Sequence, residues 1–475
     1  MRAHEAGALH ADIGQHGPAW LREPVDANVM LDHLWPDTVV RGSDGVVRVG
    51  GVPVTDLAAE YGTPCYVLDE ADFRRRASEF RRAFHDAFPG GADVYYAGKA
   101  FLCKAVIRWI AEEGLRLDVC TGGELATALA AGIDPALIGM HGNNKSVTEL
   151  ARAVDAGVGR IIVDSFDEID RLAALTADRG VTVPVMVRVT VGVEAHTHEY
   201  IATAHEDQKF GLSMIAREGA RSDAAEAVAR VMAAPGLELR GLHSHIGSQI
   251  FDAQGFEVSA RRVLGLQAQI RDEYDVQPPE LDLGGGFGIA YTTQDDPIEP
   301  AELAGALRKI VEHECAGYEL AMPRVSVEPG RAIVGPATFT LYEVGTVKDV
   351  ALDGGGLRRY VSVDGGMSDN IRTALYDASY SCTLASRSSD APPVLTRVVG
   401  KHCEAGDIVV RDEFLASDVV PGDLIAVPGT GAYCRSMASN YNHVPRPPVL
   451  AVVDGTARII VRGETEDDLL RLDVG

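Results

Sequence analysis

A (β/α)8 barrel of the TIM type joined to a second, all-β domain of barrel or sandwich form is the α/β architecture this 475-residue sequence predicts. Three observations predict it. Short β-branched runs recur through the middle of the chain at roughly 20 to 25 residues, the length of one strand plus one helix. Polar and glycine-rich motifs fall at the C-terminal ends of those runs, where barrels collect their chemistry. Beyond about Pro336 the pattern changes to alternating β runs broken by tight turns.

In chain order, the stretch VVRGSDGVVRVGGVPV carries a hairpin signal at Asp44-Gly45, so residues 1–64 are expected to add strands to the β domain. Residues 65–335 are expected to form the barrel. Its eight strands are VYYAG from Val94, LDVC from Leu117, LIGMHG from Leu137, RIIVDS from Arg160, VPVMVRV from Val183, then LRGLHSHIGS, ELDLGGGFG and RVSVEPG. A doubly wound open sheet is the alternative, but its strand spacing alone would not gather Lys99, Asp118, His141, His245, Gly284 and Glu328 at one face. Residues 336–475 make the C-terminal β domain, with turns at Asp353-Gly354 and Asp454-Gly455.

With 69 acidic against 44 basic residues the net charge is -25, which repels phosphate backbones and anionic lipid, so neither nucleic acid nor membrane is an expected partner. The basic run Arg74, Arg75, Arg76, Arg81 and Arg82 alternates with Phe73, Phe80 and Phe84 and reads as the solvated face of an amphipathic helix. No apolar run reaches the roughly 18 residues of a spanning helix, and the N-terminus lacks the apolar segment of a signal peptide, so a cytoplasmic location is expected. Seven scattered cysteines without a close CxxC pair argue against disulfides and structural zinc.

The chemistry concentrates in four motifs. Lys99 in YYAGKAF follows an apolar strand, and its neighbours imply burial, which would lower its pKa and expose a nucleophilic amine; a snorkelling surface lysine is the bland alternative. HSHIGSQ places His243 and His245 on one side of a strand, with Ser248 beyond. Two ordinary barrel histidines, a metal site with His196 and His198 as a second cluster, or a ring stacked on an aromatic cofactor all fit that pattern. The loop GGGFG lets backbone approach a phosphate closely but lacks the spacing of a dinucleotide fingerprint. EPGR sets Glu328 and Arg331 at the same barrel mouth, either as an ion pair or with Glu328 facing the pyridine nitrogen of pyridoxal 5'-phosphate (PLP).

Taken in order, YYAGKAF, LDVCTGGEL, HGNNKS, KFGLS, GLHSHIGSQ, LDLGGGFG, EPGR, VDGGMSDNIR, CEAGD and GTGAY resemble the motifs of the PLP-dependent diaminopimelate decarboxylases, in the wider group of alanine racemase and ornithine decarboxylase. The resemblance implies Lys99 as the Schiff-base lysine, Asp118 as its neighbouring carboxylate, His245 as the ring-stacking residue and Glu328 as the partner of the pyridine nitrogen. It implies that Ser248, Gly284, Gly285, Gly286 and Tyr433 hold the phosphate, and that Arg331, Arg372, Tyr376, Glu404 and Tyr433 bind substrate. It further implies a homodimer with shared sites, in which Cys403 and Glu404 reach in from the second subunit and Cys403 or Lys99 supplies the final proton. Metal has no place in that reading.

The insert RVTVGVEAHTHEYIATAHEDQKFG resembles the diaminopimelate branch, whose substrate ends in a carboxylate and an ammonium that Arg372 and Glu404 could meet. The reaction implied is conversion of meso-2,6-diaminopimelate to L-lysine and carbon dioxide, the last step of lysine biosynthesis. Ala405 replaces the serine of the family's CESGD motif and Thr190-Val191 its Asn-Pro, which bears on substrate affinity more than on cofactor binding. A related ornithine, arginine or lysine decarboxylase, a metal-dependent barrel hydrolase and a non-catalytic PLP-binding homologue are the competing readings.

Overall fold

A computed structural model describes residues 17–192, 208–216, 218–351 and 357–475. Eight parallel strands close on themselves: β1 (Ala92–Ala97), β2 (Arg116–Val119), β3 (Ile138–Met140), β4 (Arg160–Val163), β5 (Val183–Thr190), β6 (Leu237–His243), β7 (Glu280–Asp282) and β8 (Arg324–Val327). Closure comes from β8 pairing with β1, in the register Val325 to Ala92. The eight expected strands are these eight. They are rich in apolar residues because a parallel strand in a barrel buries both faces; every residue of β4, Arg160 included, is buried.

Local chemistry marks the ends of the intervening helices. Ser146, Ser165 and Ser222 cap the N-termini of Val147–Ala156, Phe166–Arg179 and Asp223–Ala233 through their side chains. The first and second of these helices end on left-handed glycines, Gly157 and Gly180. A two-residue strand, Leu212–Ser213, pairs with β5 and has no counterpart in the expected pattern. In the helix Glu70–Ala87, Phe73, Phe80 and Phe84 are buried while Arg75 pairs with Glu79 at 2.7 Å, which is the amphipathic split expected of the basic run.

The β unit is built on the long strand Thr338–Ala351, which pairs with Leu357–Val363, Leu424–Pro428 and Cys65–Asp69. Compactness divides the chain elsewhere than at the expected 64/65 and 335/336. One unit holds the described residues up to Phe73, Ile289–Asp296 and the described part of Ile333–Gly475; the other holds the described residues of Arg74–Gly288 and Pro297–Ala332. The physical reason is register. Strand CYVLD lies between two strands of the β unit, antiparallel to Thr338–Ala351 and parallel to Val449–Val453.

The expected N-terminal strands form a separate three-stranded sheet, Val40–Arg41, Val47–Val49 and Val52–Pro53, whose Val47 and Val49 pack in one core with Trp35, Phe339, Leu341 and Leu450. At Asp454 and Gly455 the backbone is left-handed at both positions (φ 49° and 74°), as a two-residue hairpin requires. Asp353-Gly354 lies outside the described residues. All seven cysteines are free, and Cys403 alone is exposed. No helix among the described residues is long and apolar enough to cross a membrane.

Candidate active site

Four barrel strands deliver ionisable groups to one point at their C-terminal ends. Asp118 lies within β2, His141 follows β3, His243 ends β6 and Glu328 follows β8, all four buried. His141 Nε2 stands 3.1 Å from Asp118 Oδ1 and 3.3 Å from Glu328 Oε1, and His243 Nε2 stands 3.0 Å from Glu328 Oε1. These are close polar contacts rather than aligned hydrogen bonds: both Asp118 oxygens, Glu328 Oε1 and both His243 ring nitrogens are buried without a hydrogen-bond partner.

Two carboxylates this close do not both ionise readily. Burial and the charge of Glu328 push the Asp118 carboxyl well above the usual carboxylate range. Burial works against Glu328 as well, but the imidazoles of His141, His243 and His245 hold it well below its ordinary value, so Glu328 carries the charge. Desolvation dominates at His141 and brings it down to about 4.

His245 lies past the end of β6, so the expectation that it shares one side of a strand with His243 is corrected. The strand stops at His243, whose ring packs edge-on against His141 at 5.1 Å, while His245 Nδ1 accepts from the Gly285 N–H at 3.1 Å. That acceptor role requires a neutral ring, in agreement with a pKa held well below 6.5 by burial, then by the charges of Lys99 and Arg188. His141, His243 and Glu328 present ligand atoms within 4.8 Å of one another, a grouping in which His245 takes no part. His196 and His198 lie outside the described residues.

Lys99 sits at the barrel rim two residues beyond β1, between buried Gly98 and Ala100, and is exposed. The expected burial is thus corrected: Gly98 and Ala100 are buried while the lysine between them is exposed. The loop after β7 is glycine because nothing else fits. A Cβ on Gly284 would stand 2.5 Å from the Ser244 carbonyl oxygen, one on Gly285 would meet the Glu328 carbonyl and one on Gly286 the Gly247 carbonyl. The Gly284 N–H donates to Asp282 Oδ1 at 2.7 Å. Ser248 Oγ accepts from Arg331 Nη2 at 2.7 Å, so Arg331, which opens the short helix Arg331–Val334, faces the serine expected at the phosphate.

The remaining expected residues belong to the β unit. Arg372 is buried and Tyr376 half-buried at the two ends of the five-residue helix Arg372–Tyr376. Cys403, Glu404 and Ala405 are exposed. Tyr433 is half-buried with left-handed backbone, φ 63°, unusual for a residue other than glycine. Sequence reasoning missed Tyr291 and Tyr380, which hold Arg372: its guanidinium lies 4.6 Å from the Tyr291 ring centre, and Nη1 donates to the Tyr380 hydroxyl. Neither tyrosine carries a sequence signal, since each meets the arginine only through folding.

A charged carboxylate, orphaned polar atoms beside it and a loop that only glycine can form fit a small aromatic cofactor with a phosphate tail. Residues 70–335 match the family of the pyridoxal-dependent decarboxylase, pyridoxal binding domain. The chain is 55% identical, over 100% of both chains, to diaminopimelate decarboxylase of Mycobacterium leprae. It is 58% identical to the enzyme of that name from Mycobacterium tuberculosis strain H37Rv, covering 94% of this chain and 98% of the relative. Among solved structures, diaminopimelate decarboxylase of M. jannaschii in complex with L-lysine matches with a TM-score of 0.84 and 29% identity, covering 93% of this chain and 98% of that one.

Proposed function

The chain belongs to the pyridoxal-dependent diaminopimelate decarboxylase family, and from that membership we propose that it converts meso-2,6-diaminopimelate to L-lysine and carbon dioxide, the last step of lysine biosynthesis. The observation that carries the reading in the site itself is the buried Glu328 carboxylate among polar atoms without hydrogen-bond partners at the barrel mouth. When bound, the cofactor supplies a protonated ring that delocalises the electron pair left by the departing carboxylate. Glu328 keeps a proton at the pyridine nitrogen, and Asp118 stands beside it in the neutral state.

Lys99 is the amine that anchors the cofactor aldehyde, and its place at the rim leaves it accessible to an entering substrate. His245, neutral and pinned by Gly285, presents a ring face; Ser248, Gly284, Gly285, Gly286 and Tyr433 hold the phosphate. Arg331, Arg372, Tyr376, Glu404 and Tyr433 bind the amino acid. Cys403 or Lys99 returns a proton to the carbon that lost its carboxylate. We assign the active form to a cytoplasmic homodimer in which Cys403 and Glu404 complete the partner's site.

The test is carbon dioxide release by the purified holoenzyme from meso-diaminopimelate, L-lysine, L-ornithine and L-arginine, with the visible spectrum recorded alongside. Release from meso-diaminopimelate with lysine as product, and a visible band that borohydride bleaches, is expected. Preference for another substrate overturns the substrate; a protein that takes up no PLP overturns the chemistry. Lys99→Ala is expected to abolish the band and nearly all turnover, and full activity in that variant refutes the role of Lys99.

A further inference from the structure

We propose that Tyr291 and Tyr380 are positioning residues that hold Arg372 as a preformed receptor for the one carboxylate that survives the reaction. The inference rests on the proposed function and adds how the β unit recognises an amino acid rather than an amine. Arg372 is 5% exposed, yet among the described residues no carboxylate pairs with it. A buried guanidinium without a counter-ion is costly unless its surroundings are arranged to keep it charged.

Here the surroundings are neutral and directional. The Tyr291 ring lies 4.6 Å from the guanidinium and the Tyr380 ring 5.6 Å, and the two rings meet edge to face at 5.1 Å and 77°. Nη1 donates to the Tyr380 hydroxyl at 2.5 Å. That hydroxyl lies 3.8 Å from Cys434 Sγ, which donates to Asn370 Oδ1 at 3.5 Å, and Asn370 Oδ1 accepts from the backbone N–H of Arg372 at 3.3 Å. The chain of contacts therefore returns to its starting residue, and Tyr380, Asn370 and Cys434 are each at most 1% exposed. Arg372 Nε is left buried with no hydrogen-bond partner. Such a group is oriented from both ends, not neutralised by an anion of the protein, and has donor capacity to spare. An incoming carboxylate is the ligand that fits. L-Lysine offers one; cadaverine, the same chain without it, offers none.

The experiment uses holoenzyme of wild type, Tyr380→Phe, Tyr291→Phe and Tyr291→Leu, measuring kcat and KM for meso-diaminopimelate and, by calorimetry, the Kd of L-lysine and of cadaverine. Tyr380→Phe is expected to raise KM and the L-lysine Kd about tenfold with kcat changed less than about twofold, as loss of one hydrogen bond to a charged group implies. Tyr291→Leu is expected to do the same, and Tyr291→Phe to recover most of the affinity because it keeps the aromatic face. Cadaverine affinity should not move. Unchanged lysine binding, a fall in kcat alone, or equal losses for lysine and cadaverine each overturn the inference. Should Tyr291→Leu fail to fold, Tyr380→Phe, which removes a single hydroxyl, decides it. Wild type that neither decarboxylates meso-diaminopimelate nor binds L-lysine overturns the proposed function and the inference with it.

Discussion

Burial at the barrel mouth separates the protonation states of groups that would otherwise titrate together. His141 shows it most directly, since desolvation brings its pKa from 6.5 down to about 4. A histidine depressed on folding contributes stability that is present above 6.5 and lost as the pH falls through about 4. Wild type should therefore lose on the order of 3 kcal/mol more unfolding free energy than His141→Gln between pH 7 and pH ~4. Urea unfolding at the two pH values checks this, and equal losses would show that His141 is not held neutral by the fold. At this scale the sequence was a partial guide. It marked His141, His245 and Glu328 by motif, but not that His141 and His243 converge on Glu328, nor that Lys99 is exposed. Apolar neighbours report their own burial, not that of the lysine between them.

The loops that follow β3 and β7 hold those residues through specific contacts. Lys145, in the HGNNKS stretch after β3, donates to the carbonyls of Gly142 and Ile162, both at 2.7 Å, and to Glu168 Oε1 at 2.6 Å; both charged side chains are 1% exposed. Lys145→Met should cost about 3–5 kcal/mol in denaturant unfolding, because it strands the Glu168 charge in the interior. Adding Glu168→Leu should recover most of that loss, and a Lys145→Met protein as stable as wild type would show that the pair is dispensable. At Gly286 the backbone has φ 104°, and a side chain would run into the Gly247 carbonyl. Gly286→Ala is expected to lose about 2–3 kcal/mol of stability from backbone strain and to weaken retention of PLP, read by equilibrium titration. The turn at Asp454-Gly455, the glycine loop after β7 and the order of the barrel strands were legible beforehand because their signals are local. The strand Leu212–Ser213 was not, since two residues carry no periodicity.

As a whole molecule the protein is a strongly acidic chain, and the proposed homodimer with shared sites makes a prediction that no single chain can satisfy. Mixing Lys99→Ala with Cys403→Ala subunits should restore up to about a quarter of wild-type activity per site in the statistical limit, since one kind of mixed site regains both groups. Absence of any restoration, with subunit exchange confirmed by mass, would place Cys403 with the Lys99 of its own chain or outside the site. The exposure of Cys403 and Glu404 in the isolated chain is what such sharing requires.

By itself the sequence determined eight parallel strands in order, an added β unit, the glycine loop after β7 and the motif-bearing residues at the strand ends. β-Branched runs and tight turns act over a few residues, so their signals are written next to one another. Only the tertiary structure decided that CYVLD pairs between Thr338–Ala351 and Val449–Val453, that the proton rests on Asp118 rather than Glu328, and that Arg372 lies against Tyr291 and Tyr380. Register, desolvation and ring contacts join residues far apart in the chain, and their energies exist only once the surfaces that exclude water have closed around them.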